Sequence, residues 1–158
     1  MSYIIVILII LTAYLYFKNK KSQPSSFEEY CKLKGNSYEY QIANYYKERG
    51  FKVFNRSQKL GKADMGIDLV AHTDHSILLI QCKNHKFPIQ QDLIRKFIGD
   101  CFVWEKVEKD KNCKKQVKYI FVSNSNADYG AKKYLEHISK ANFFEFKVIK
   151  SNYYYNNK

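Results

Sequence analysis

Residues Gly66 to Lys83 read GIDLVAHTDHSILLIQCK, and this stretch decides the fold. Two largely apolar, β-branched segments, 67–71 and 77–82, flank the polar Thr73-Asp74-His75-Ser76. That is the pattern of two strands joined by a tight turn. With Asp74 and His75 as the turn residues, Val70 stands opposite Leu79 and Asp68 opposite Gln81. Opposed side chains of an antiparallel pair lie roughly 5 Å apart on one face. Lys83 is two residues beyond Gln81 and shares that face. An acid, an amide and an amine therefore converge at one end of an otherwise apolar hairpin. Charged side chains are seldom held among apolar neighbours without a task, so these three are the candidate site.

Upstream, Phe27 to Lys34 has the composition of a brief helix stopped by Gly35, with Ser37 as the cap of the next one. Tyr38, Ile42, Tyr45 and Tyr46 then recur at helical spacing, Gly50 ends that helix, and Phe51 to Phe54 is a first strand. Asn55 to Ala63 is a polar, basic loop carrying Arg56, Lys59 and Lys62 directly ahead of the hairpin. Its position suits contacts to backbone phosphates of a nucleic acid. Downstream, Gln90 to about Lys109 reads as a helix with Leu93, Ile94, Phe97, Phe102 and Val103 mostly on one face. Val117 to Ser123 is a strand, Asn124 to Asp128 a turn and cap, Tyr129 to Ala141 a helix, and Phe143 to Ile149 a last strand. An antiparallel hairpin that feeds helix, strand, helix and strand implies a mixed sheet with helices on its faces, an α/β fold.

The 158 residues suffice for one domain, and 27 Lys plus Arg against 15 Asp plus Glu give a formal charge of +12. Such an excess favours polyanionic partners, either nucleic acid or an anionic membrane surface. An aromatic content of 16% excludes a disordered basic tail. Cys31, Cys82, Cys101 and Cys113 form no CxxC pair and no zinc spacing, and read as reduced thiols. At the N-terminus, Tyr3 to Phe17 is apolar apart from Thr12 and is followed by Lys18, Lys20 and Lys21. A signal peptide would need a basic start and a small-x-small cleavage site, and neither is present. The run is short for a bilayer, which prefers about 20 residues, but its flanking tyrosines and lysines fit a single transmembrane helix with the rest of the chain in the cytoplasm. The expected organisation is an anchor with its basic flank over residues 1–21, a linker over 22–36, a folded domain over 37–150 and a tail over 151–158.

Asp64-Met-Gly-Ile-Asp68 followed by Gln81-Cys-Lys83 resembles the Mrr-type branch of the PD-(D/E)xK nuclease superfamily, whose second motif reads QxK. The segment Tyr38 to Val53 is similar to that family's first helix, its glycine and the following strand, and the element order of residues 37–148 agrees throughout. The resemblance implies a restriction-endonuclease-like mixed sheet, DNA as substrate and Mg²⁺ or Mn²⁺ as cofactor. It implies Asp68 and Gln81 as metal ligands and Lys83 as the catalytic amine. It also implies that Glu39, the helix glutamate, helps hold a metal-bound water. Asp64 matches a recurring acid of the family and also stands where it can shape the turn before Gly66.

The residues themselves allow the same chemistry. Phosphodiester hydrolysis needs a positioned water and charge neutralisation on the phosphate, which a divalent ion on oxygen ligands supplies. Asp68 offers a carboxylate and Gln81 a hard, neutral amide oxygen. Lys83 can orient the water or offset charge on the phosphate. His72 shares the parity of Asp68, and His75 and His85 lie near it in sequence, but none is assigned a ligand role. The expected partners are DNA, a membrane through residues 3–17 and a second copy of the chain in a homodimer. Three functions remain open: a metal-dependent DNA endonuclease of restriction type, a structure-selective nuclease of repair, recombination or DNA uptake, and a non-catalytic membrane tether that binds nucleic acid.

Overall fold

A computed structural model describes residues 7–12, 14, 26–61, 64–110 and 113–152. The chain forms two compact units, Met1–Cys31 and Lys32–Lys158. In the first, residues 7–12 and Tyr14 are helical, and Ile7, Leu8, Ile9, Ile10, Leu11 and Tyr14 are exposed. Among the described residues no helix is long and apolar enough to cross a membrane. Residues 3–6, 13 and 15–17 of the expected anchor, and the three lysines after it, lie outside the described residues.

The elements are α1 (Phe27–Lys47), β1 (Lys52–Asn55), α2 (Arg56–Leu60), β2 (Leu69–His72), β3 (Ser76–Lys83), α3 (Gln91–Val107), β4 (Gln116–Ser123), α4 (Tyr129–Ile138), a 3₁₀ turn (Ser139–Ala141) and β5 (Phe144–Val148). The five strands form one mixed sheet in the order β1-β2-β3-β4-β5. The first two pairings are antiparallel and the last two parallel. The hairpin has the predicted register: Val70 pairs with Leu79 and Leu69 with Ile80. Thr73 closes the turn, donating its N–H to Ser76 O at 2.9 Å.

Alternation along the strands divides the core in two. Leu69, Ala71, Leu78, Ile80, Cys82, Ile120 and Val122 pack with Tyr38, Ile42, Ala43 and Tyr46 of α1. Ile77, Leu79, Tyr119, Phe121 and Phe144 pack with Ile94, Phe97, Cys101 and Trp104 of α3 and with Ala131 of α4. Burying such aliphatic side chains stabilises by about 1.5–3 kcal/mol each.

Three expectations are corrected. Gly35 does not stop a helix and Ser37 does not cap one, because α1 runs unbroken from Phe27 to Lys47 through part of the expected linker. An interior glycine costs about 1 kcal/mol, and burial of Tyr38, Ile42 and Tyr46 further along one face outweighs it. The Asn55–Ala63 loop contains the short helix α2, whose start is capped by the Asn55 side chain accepting from Gln58 N–H at 3.0 Å. Phe102 and Val103 are not core residues: they are 56% and 42% exposed, since the buried stripe of α3 runs Ile94, Phe97, Cys101, Trp104.

Candidate active site

Asp68 immediately precedes β2 and donates its N–H to Ile80 O at 2.9 Å, the residue that also pairs with Leu69. Its carbonyl accepts from the N–H groups of Arg56 at 2.8 Å and Ser57 at 3.2 Å. The start of α2 therefore fixes the backbone at Asp68. The side chain is 7% exposed, and its Oδ2 accepts from Gln81 Nε2 at 2.5 Å and from Cys82 N–H at 2.6 Å. Asp68 and Gln81, expected to face each other across the hairpin, meet through their side chains, while the strand register ends at Leu69–Ile80 and the Asp68 N–H turns to Ile80. With the amide nitrogen committed to Asp68, the oxygen is the atom Gln81 has left for another partner.

The loop before Asp68 is shaped by Asp64, whose Oδ1 accepts from Gly66 N–H at 2.9 Å. Met65 and Gly66 both take positive φ, 57° and 71°. A Cβ at Gly66 would also meet Asp100 Oδ2, so a larger residue there would have to displace the Asp100 carboxylate. Asp64, Gly66, Asp68, Gln81 and Lys83 line one wall of a cavity of about 300 Å³, and Leu93, Lys96, Phe97 and Asp100 of α3 line the other. Glu39 is not among the lining residues; its Oε2 accepts from Ser57 Oγ.

Residues 21–150 match the restriction endonuclease family Mrr_cat. The chain belongs to this family. Two solved structures are similar to this Mrr_cat chain. One is a repair endonuclease from Pyrococcus abyssi, with 18% identity, 72% of this chain and 47% of that one covered, and a TM-score of 0.48. The other is a protein of unknown function, with 18% identity, 68% and 54% covered, and the same TM-score of 0.48. The chain spans about half the length of these structures. No curated protein matches the sequence.

The electrostatics of this candidate site centre on Asp68. Burial pushes its carboxyl up to about 7, and the charges of Glu39 and Asp64 push the same way, against the Cys82 N–H and Lys83. Glu39 is also raised, first by burial, with its hydrogen bond to Ser57 opposing. A buried carboxylate flanked by two further acids is disfavoured in its charged form unless a cation joins it. Among the described residues no cluster of three or more His, Cys, Asp or Glu side chains is arranged to hold a metal. Of the lining acids, Asp64 is bonded to Gly66 N–H and Asp100 to Lys96, which leaves the Asp68 carboxylate and the Gln81 amide oxygen as the donors nearest each other. Such a sparse oxygen set fits Mg²⁺, which keeps several waters and takes further oxygens from a phosphate.

The other candidates separate cleanly. Arg56, expected as a phosphate contact, is buried, and its guanidinium is held by Glu108 through two bonds of 2.6 and 3.0 Å. Its Nε also reaches Asp64 O at 3.4 Å, so it braces the loop before Asp68. Its partner lies 52 residues away in sequence, which the local basic composition could not show. Lys59 is exposed, with its Nζ 4.6 Å above the Phe54 ring, and Lys62 lies outside the described residues. Lys96 and Asp100 were missed as cavity residues. Their signal was present, because Leu93, Lys96, Phe97 and Asp100 recur at i, i+3, i+4 and i+7, which is one stripe of a helix.

Proposed function

We propose that this chain is a membrane-anchored, metal-dependent endonuclease that hydrolyses DNA phosphodiesters. The carrying observation is the convergence of Asp68, Gln81 and Lys83 on one cavity at the end of the hairpin. Family membership supports DNA as the substrate, and the charge of +12 supports a polyanion. Asp68 and Gln81 would hold Mg²⁺ through a carboxylate and an amide oxygen, and the ion when bound supplies charge neutralisation and an activated water. Lys83 presents an ammonium to the same cavity, where it orients the water or offsets charge growing on the phosphate. Gln81 Nε2 and Cys82 N–H hold Asp68 Oδ2, which leaves Oδ1 as the oxygen for the ion. Glu39 acts from outside the cavity lining, through its charge on Asp68. The apolar run over residues 3–17 and the lysines after it support an anchor with the catalytic domain on the cytoplasmic side.

The test is cleavage of plasmid DNA in Mg²⁺ and in chelator, by wild type and Lys83→Ala. Metal-dependent nicking is expected for wild type, with a loss of about 10²–10⁴-fold in the variant. Cleavage that persists in chelator, or a fully active Lys83→Ala, refutes the assignment. Alkaline carbonate washing of membranes tests the anchor separately, and release of the full-length chain into the wash excludes it.

A further inference from the structure

The Lys96–Asp100 pair of α3 has no role in the chemistry above, yet it lines the same cavity. Lys96 Nζ stands 2.8 Å from Asp100 Oδ2, with the lysine side chain 69% exposed and the carboxylate 26%. An exposed ion pair four residues apart on a helix contributes only about 0.3–0.5 kcal/mol, so stability does not account for its placement. Asp100 lies directly against Gly66, and Lys96 Nζ is 3.5 Å from where a Cβ at residue 66 would be. The pair is therefore set against the loop that leads into Asp68, two residues on.

From this we infer that Lys96 forms a second phosphate subsite of the DNA strand, taking a phosphate next to the scissile one. The inference rests on the DNA-cleaving reading. An ammonium has three donors, and Asp100 occupies one, which aims the remainder without consuming them. Lys83 serves one part of the cavity and Lys96 its exposed part. Leu93 and Phe97 give an apolar wall against which the sugar joining two phosphates can lie. The lining includes the carboxylates of Asp64, Asp68 and Asp100, so a polyanionic strand entering it needs both amines. Asp100 is a positioning residue and Lys96 the binding one.

The experiment compares the full-length chain with Lys96→Ala, Lys96→Arg and Lys133→Ala. Lys133 is a fair control, because it is also exposed and also paired with a carboxylate, Glu136 at 3.0 Å, but sits on α4. Steady-state cleavage of a short duplex and its binding at several salt concentrations are measured for each. Lys96→Ala should raise KM about five- to twentyfold, leave kcat within about twofold, and lower the log–log salt slope of binding by about one. Lys96→Arg should restore most of the KM, and Lys133→Ala should stay within about twofold of wild type. Equal effects of Lys96→Ala and Lys133→Ala, or a loss confined to kcat, overturn the subsite while leaving the DNA reading intact. A wild-type chain that neither binds nor cleaves DNA overturns both.

Discussion

Two sets of residues alternate along the same hairpin and meet opposite fates. Leu69, Ile80 and Cys82 point to α1 and are sealed among apolar neighbours. Asp68, Gln81 and Lys83 point the other way and line a cavity. Asp68 and Gln81 are as buried as Cys82, at 7%, 7% and 8% exposure, so burial alone does not distinguish the faces. The difference is what burial costs. On the α1 face it stabilises the fold, whereas at Asp68 it pushes a carboxyl up to about 7 and works against the charged form. One strand pair thus carries both a structural gain and a functional debit, one residue out of phase.

Neighbouring substitutions should expose that contrast most strongly. Ile80→Ala should lose about 2–5 kcal/mol in urea unfolding, the usual result of emptying a buried aliphatic site. Gln81→Ala, one residue on, should lose far less stability and most of the metal-dependent cleavage. If Gln81→Ala proves the more destabilising of the two, the division of labour between the faces is wrong.

Asp68→Asn tests the cost at Asp68 itself and has the opposite sign. The folded protein holds the Asp68 proton more tightly than the unfolded chain does, because the folded pKa of about 7 exceeds the ordinary 3.8. Stability therefore declines as pH rises between those two values and stays reduced above them. In chelator at pH 8, Asp68→Asn should be more stable than wild type by about 2–4 kcal/mol, from roughly 1.4 kcal/mol for each tenfold difference in proton affinity between the folded and unfolded chain. The gap should close towards pH 4 and shrink when Mg²⁺ is added. Equal urea midpoints at pH 8 and pH 4 would show that Asp68 is better solvated than its surroundings suggest.

The smallest expected difference lies between two basic residues of one segment. Arg56→Ala should cost about 1–3 kcal/mol, since it removes a buried partner from Glu108 and a brace from the Asp64 loop. Lys59→Ala should change stability by less than about 0.5 kcal/mol and lower the salt slope of DNA binding by about one. A reversal, with Lys59 structural and Arg56 setting the salt slope, would return Arg56 to the DNA surface.

This pattern also explains what could be read from the sequence. The hairpin was legible because its turn leaves one register that keeps both the apolar face and the acid–amide pair. The strands and the positions of α3 and α4 followed from the same local periodicity. Arg56 was not legible, since Glu108 is its partner only after α3 folds back over the sheet. Gly35 looked like a stop because its local cost is visible in sequence, while the burial that outweighs it comes from Tyr38 and beyond. Phe102 and Val103 are apolar, but the turn of α3 sets them outside the stripe that the sheet covers. Lys96 and Asp100 lay on a legible stripe and gained meaning only when Gly66 was found against them.

The strand order of the sheet bears on how the site is assembled in time. Every strand lies beside its predecessor in the chain, so none has to be inserted between two already formed. The hairpin pairs residues close in sequence, such as His72 with Ile77, whereas the next junction joins Ser76 to Gln116, about 40 residues on. Short loops close with less entropic cost and sooner than long ones. Among the strand pairings, the one that brings Asp68 and Gln81 together has a shorter loop to close than the one that brings β4 beside β3. The candidate pair thus belongs to the most local strand pairing of the sheet, and the α3 wall of the cavity to a longer-range one.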